Sequence, residues 1–156
     1  MKVATLCYVF RHGQVLLIRG TKKYAPHYGV WNGLGGKVEV GETPEACVRR
    51  EVAEEGGIIL GNVLLLGRML VSGLGPEPWL VHVFISSDFT GEVEETVDFG
   101  WFDLEEVWEL PLLEADRRYL LPAVFARAVF SACFVYQHGV LVGGFLAERN
   151  NEEELN

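Results

Sequence analysis

Cysteine is scarce in this sequence. Cys7, Cys47 and Cys133 are odd in number and widely spaced, which excludes a disulfide framework and a Cys-x-x-Cys metal site and leaves reduced, small apolar fillers. Basic residues are few too. Thirteen Lys and Arg against 22 Asp and Glu give a formal charge of -9. Nucleic-acid polymers and anionic bilayers are bound by clustered Lys and Arg, so neither is an expected partner, and an anionic small substrate would need a metal ion to offset its charge. No apolar run reaches the length of a membrane span and no basic start leads into an apolar stretch. The expectation is therefore a cytoplasmic, soluble protein, monomer or homodimer. Internal repeats, linkers and low-complexity tracts are absent apart from a polar end.

What is present is ordinary for a folded domain: 156 residues, 49% hydrophobic and 22% charged, with 18 Gly and four Trp. A chain of this length buries roughly two-thirds of its unfolded surface around one core. A single domain over residues 1–147 is expected, followed by a frayed polar tail, 148–156.

Short β-rich runs at 3–10 and 14–19 flank His12-Gly13, a hairpin turn. Residues 20–36 hold many glycines and few aliphatic residues, the chemistry of a long loop. Thr43-Pro44 starts a helix, with a hydroxyl cap and then a residue whose fixed φ suits the first turn, and Gly56-Gly57 stops it. Two strands are read at 58–72 and 78–86. An acidic, turn-like stretch, 87–100, precedes a short strand at Trp101-Phe102. Asp103 is expected to cap a short helix through Leu110, and residues 120–130 have helical composition. A terminal hairpin, 131–137 and 139–146, turns at His138-Gly139.

The chemistry sits on the central helix. At about 100° per residue, Glu51, Glu54 and Glu55 share one edge, while Val48 and Val52 sit beside it toward the core. Clustered carboxylates repel, so they are left in water or neutralised by a cation, and hard oxygen ligands suit Mg²⁺ or Mn²⁺. Arg50 is one turn from Glu54 and can hold a carboxylate by a charged hydrogen bond. The glycines of Leu34-Gly-Gly36 let the backbone approach an ion or a phosphate, and Glu42 adds an acid at the loop-to-helix junction.

These residues carry a resemblance. Gly36, Glu42, Arg50-Glu51-Val52, Glu54-Glu55 and Gly57-Ile58 fill every fixed position of the Nudix box at its spacing. The resemblance implies an α+β fold, the Nudix α/β/α sandwich with a mixed central sheet, and a divalent-metal hydrolase of nucleoside diphosphate derivatives. It implies Glu51 and Glu55 as metal ligands with the carbonyl of Gly35, and Glu54 as ligand or base. Arg50 would orient Glu51, Glu42 would brace the loop, and Glu95 is chosen as the acid that the family often adds from outside the box.

Trp31-Asn-Gly-Leu-Gly-Gly-Lys37 and Trp101-Phe-Asp-Leu resemble segments of the MutT-type enzymes that remove oxidised purine triphosphates. That likeness implies that Asn32 reads the purine edge and that Asp116 completes base recognition, with Trp31, Lys37 and Thr5 as further substrate-binding residues. The implied activity is a Mg²⁺-dependent nucleoside triphosphate pyrophosphohydrolase that releases monophosphate and pyrophosphate, with 8-oxo-dGTP as a substrate of the expected kind. The alternatives are a Nudix hydrolase of ADP-ribose or a dinucleoside polyphosphate, and a non-catalytic nucleotide-binding module. Such modules usually lose box acids, and this chain keeps them all.

Overall fold

A computed structural model describes residues 1–149; of the polar tail expected from 148 onward, 150–156 lie outside the described residues. The organising strand is β1, Lys2–Arg11, whose residues from Thr5 to Phe10 are all buried. Leu6, Tyr8 and Phe10 point into one apolar cluster and Cys7 and Val9 into another. A strand buried on both faces reads as a continuous apolar run because each face packs on its own layer. His12 and Gly13, with φ of 42° and 76°, make the tight turn to β2, Gln14–Arg19, as expected for a hairpin of this length.

The glycine-rich loop expected over 20–36 is only partly a loop. It contains β3, Trp31–Asn32, and β4, Leu34–Lys37. β1 pairs with β4 over Ala4 to Cys7, then leaves it to pair with β2 at Phe10 and Arg11. The glycines serve close approach here: a Cβ on Gly35 would lie 2.0 Å from the carbonyl oxygen of Thr5. Composition alone reads such glycines as turn formers, whereas the sheet uses them as strand residues.

The central helix, α1, spans Pro44–Gly56. Thr43 Oγ1 accepts the N–H of Ala46 at 3.1 Å, and Gly57, at φ 67°, closes the helix by donating to the carbonyl of Ala53. Cap, proline and glycine stop fall where the sequence puts them.

The single strand expected over 58–72 is two: β5, Ile59–Leu60, and β6, Leu64–Ser72. Asp88 breaks it, because its carboxylate accepts the N–H of Asn62 at 2.8 Å and fills the space beside Gly61. After β7, Trp79–Ser86, comes β8, Phe89–Thr90, which pairs with β5 as a separate small sheet. The last part of the turn-like stretch belongs to β9, Phe99–Asp103, longer than expected because it runs along β2.

The helix expected after Asp103 is one 3₁₀ turn, Glu106–Glu109, and Asp103 does not cap it. Its carboxylate accepts from Gln14 instead, while Glu106 reaches back to the N–H of Asp103. The next helix also differs from expectation. A π-helical turn, Asp116–Leu120, leads into α2, Leu121–Phe125, and the chain is extended again at Val129. Pro122 has no N–H, and its ring would press on the carbonyl four residues back. The N–H of Leu121 bonds to the carbonyl of Asp116, which widens the turn and admits the ring.

β10, Val129–Gln137, and β11, Val140–Arg149, form the terminal hairpin over His138-Gly139. Glu148 and Arg149 are paired strand residues rather than frayed tail. The main sheet runs β11-β10-β6-β7-β1-β2-β3, with β4 on β1 and β9 on β2. β1 with β7 and β6 with β10 are parallel and the remaining pairs antiparallel, so the sheet is mixed. Val48 and Val52 of α1 cover one face, and Leu120, Leu121 and Val124 the other. This is the α/β/α sandwich.

Candidate active site

α1 lies beside β4, and the register of β1 with β4 sets what meets there. Gly36 is bonded opposite Thr5 and Leu34 opposite Cys7, so Gly35 between them turns its N–H and C=O away from β1. That N–H donates to Glu55 Oε1 at 2.9 Å. Glu51 packs against Gly36: a Cβ there would stand 2.5 Å from the carboxyl carbon. Gly36 thus leaves a cradle that a methyl group would fill and in which Glu51 lies, with Glu55 bonded to Gly35 beside it.

Arg50 is the hub. Its Nε and Nη2 grip Glu42 at 2.7 and 3.0 Å, Nη1 donates to Glu51 at 2.9 Å and to Glu54 at 3.3 Å, and Nη2 reaches the carbonyl of Lys37 at 3.3 Å. The bidentate guanidinium holds the Glu42 carboxyl down at about 2, helped by the N–H of Glu39. Glu55 is displaced the other way. Burial pushes its carboxyl up to about 7, with the neighbouring charges of Glu51 and Glu54 adding and the Gly35 N–H opposing. Each box acid faces a donor of the protein, and among the described residues no three acidic, His or Cys side chains converge closely enough to hold a metal ion. The donor set of carboxylates and a backbone carbonyl nevertheless fits a hard divalent cation, which would relieve the like charges gathered on the cradle.

Glu55 opens on a cleft of about 550 Å³ between α1 and the segment before β9, lined by Arg19, Glu92, Glu94 and Asp98 among others. Glu95, the expected outside acid, is not in that lining. Its Oε1 accepts the N–H of Trp101 at 2.7 Å and lies over Gly100, so it serves strand β9. Glu92 and Glu94 face the cleft in its place. The acidic stretch is visible in sequence, but the strand-edge hydrogen bond that holds Glu95 on β9 is not.

The expected substrate residues separate into two sets. Asn32 bonds to Tyr8, a side chain that no motif in the sequence marks, and Asp116 lies within electrostatic reach of it. The Tyr8 hydroxyl donates to Asn32 Oδ1 at 3.1 Å, and the buried charge of Asp116 raises the Tyr8 pKa further after burial itself. The clue to Tyr8 was a hydroxyl in an otherwise apolar central strand. Asn32 Oδ1 also takes the N–H of Gly33 at 2.9 Å, so the amide presents its NH₂ outward rather than donating and accepting equally. Trp31 frames this group, packed edge-on against Phe102 at 4.8 Å. Thr5 is not available to a ligand. Its hydroxyl is engaged inside the protein, with Cys47 Sγ 3.2 Å away beneath β4 and the carbonyl of Gly36 at 3.5 Å. Lys37 stands at the far end of β4 with its side chain exposed and its carbonyl held by Arg50, apart from Asn32.

Asp116 is 5% exposed, and burial pushes its carboxyl up to about 7. With an unfolded value of about 3.9, the native state binds the extra proton between these limits, so stability falls as pH rises through that window. Thermal denaturation should show wild type losing more between about pH 5 and about pH 8 than Asp116→Asn. The contribution of Glu55 is common to both proteins and cancels. Equal slopes would mean that Asp116 ionises in its ordinary range.

A mixed sheet between helices, with carboxylates cradled on its glycine strand, is a framework for hydrolysing phosphoric anhydride bonds. The profile of the NUDIX domain matches residues 1–124, and the chain belongs to the Nudix hydrolase family. It is 34% identical over 145 residues to a Danio rerio protein named oxidized purine nucleoside triphosphate hydrolase, covering 90% of this chain and 91% of that one. A Pseudomonas aeruginosa NAD-capped RNA hydrolase NudC is 32% identical over 126 residues, but these span 76% of this chain and 42% of that protein. Among solved structures, a Bacillus halodurans MutT protein superposes with a TM-score of 0.81 at 27% identity, covering 94% of this chain and 97% of that one. No described helix is long and apolar enough to cross a membrane.

Proposed function

We propose that this Nudix hydrolase is a Mg²⁺-dependent nucleoside triphosphate pyrophosphohydrolase for oxidised purine nucleotides such as 8-oxo-dGTP. The observation that carries the reading is the hydrogen bond from the Tyr8 hydroxyl to Asn32, with the buried carboxyl of Asp116 within electrostatic reach of the same hydroxyl. The outward NH₂ of Asn32 suits a purine oxygen or nitrogen acceptor, and the Asp116 carboxyl suits a purine N–H. A relative matched over 91% of its length and named for this activity supports the same substrate class.

In this reading Glu51, Glu55 and the Gly35 carbonyl hold the metal, with Glu54 beside them as ligand or base and Glu92 or Glu94 supplying the acid from outside the box. Bound Mg²⁺ would offset phosphate charge and lower the pKa of the attacking water. Arg50 keeps Glu51 and Glu54 oriented, and Glu42 holds Arg50 in place. Mn²⁺ fits the same oxygen donors.

The deciding experiment is a panel of oxidised and normal nucleoside triphosphates, ADP-ribose, NADH and diadenosine polyphosphates with Mg²⁺, scoring products. Asn32→Ala should raise KM for purine triphosphates by about 10- to 100-fold and change pyrimidine values much less, because a site built on hydrogen bonds rejects bases selectively. Equal effects on both would reduce Asn32 to a loop residue. Binding without hydrolysis across the whole panel would favour a regulatory module.

A further inference from the structure

We propose that Arg19 binds the terminal phosphates of the substrate, and that Asp98 occupies its guanidinium until the polyphosphate displaces it. The inference rests on the reading of the substrate as a nucleoside polyphosphate.

Arg19 ends β2, opposite Trp31 of β3, and its N–H is fixed to the carbonyl of Asp98 at 2.8 Å. Its guanidinium donates twice to a single oxygen of the Asp98 carboxylate, from Nε at 2.8 Å and from Nη2. A guanidinium carries five N–H donors, so three remain without a protein partner among the described residues. The side chains are 41% and 33% exposed. An ion pair this open to water contributes little. A phosphate with several oxygens is the better partner for a planar fork of donors, so the exchange is not opposed by a strong internal bond.

Place and charge agree. The guanidinium carbon lies 5.9 Å from the ring centre of Trp31, the neighbour of Asn32, and Arg19 lines the same cleft as Glu55. It therefore stands between the group proposed to read the base and the helix proposed to act on phosphorus, where a polyphosphate chain must run. The cleft lining holds four carboxylates, Glu55, Glu92, Glu94 and Asp98, and one cationic side chain, Arg19. A polyanion entering there meets four acidic residues for one basic one. A guanidinium released from its carboxylate opposes the repulsion of the acids.

The test uses calorimetric binding of inorganic tripolyphosphate with Mg²⁺ to the whole chain, which needs no base recognition. Arg19→Gln should weaken binding by about 10- to 100-fold, the loss of a charged hydrogen-bonding group, and Arg19→Lys should restore part of it. Asp98→Asn should tighten binding severalfold, and only while Arg19 is present. In the double variant that gain should vanish, a coupling that a general reduction of negative charge would not produce.

A strut joining β2 to the segment before β9 predicts the opposite pattern, with Arg19→Gln and Asp98→Asn losing binding alike. That result, an unchanged affinity in Arg19→Gln, or no tripolyphosphate binding by wild type would each overturn the proposal. If wild type binds tripolyphosphate through Arg19 yet hydrolyses no purine triphosphate, the substrate reading fails and the phosphate site stands.

Discussion

Glu55→Gln is expected to lower turnover of a nucleoside triphosphate by about 10³-fold, the scale for removing a charged group that acts on the reacting atoms, and to leave the fold intact. The amide oxygen of Gln can still accept the N–H of Gly35, the bond that now positions Glu55, and Gln and Glu have similar helix propensity. The change also relieves a cost. Burial pushes the Glu55 carboxyl up to about 7, so above that pH the native state carries an ionised group where burial disfavours it, and a neutral amide removes the penalty. The melting temperature of the variant at pH 8 should equal or exceed that of wild type. Near-normal turnover would reject Glu55 as a participant. Lost turnover with a lowered melting temperature would mean that the substitution had disturbed the Gly35 strand instead.

Gly36→Ala should cost about 10²-fold in turnover, since the side chain that it displaces, Glu51, is one of the metal ligands proposed above. A methyl group on Gly36 would stand 2.5 Å from the Glu51 carboxyl carbon. The obstacle is the free end of a flexible side chain, not backbone, so the chain folds and Glu51 moves. Once moved, it leaves its 2.9 Å bond to Arg50 and the cradle beside Gly35. The two parts of this expectation are measured separately, turnover with saturating Mg²⁺ and thermal denaturation. A variant that keeps full activity would show that Glu51 works from another position. A cooperative unfolding transition shifted strongly downward would show that the β1–β4 pairing, not the carboxylate, had absorbed the clash. Gly35→Ala is a poorer probe because its Cβ would meet the Thr5 backbone.

The difference between these two glycines marks how far sequence reasoning reaches. Glycine before the helix was legible as close backbone approach, but Gly35 answers to a neighbouring strand and Gly36 to a carboxylate, and no local pattern separates them. The structure sets Glu95 apart from its neighbours for a related reason. Glu92, Glu94 and Glu95 look alike in sequence, and the N–H of Trp101 turns Glu95 aside. The MutT-type likeness implies Thr5 as a binding residue, yet its hydroxyl faces Cys47 below the strand. Tyr8 went unremarked because an aromatic residue in an apolar strand is ordinarily core, and at 0% exposure it is core. Only its hydroxyl reaches Asn32.

The sequence by itself determined the local things: the capped helix of Thr43 to Gly57, the Glu51, Glu54 and Glu55 edge that its period creates, the two tight hairpins, and through the spacing of these residues the family. Such features depend on neighbours within a few residues, where covalent geometry decides. The tertiary structure alone decided which groups meet across the fold. It breaks the run from Ile58 to Ser72 at Asp88, lets Pro122 into a helix by widening one turn, joins Tyr8 to Asn32, and sets Arg19 against Asp98 at the cleft. Those contacts join residues from separate strands and turns, and sheet register, rather than any spacing along the chain, fixes their distance.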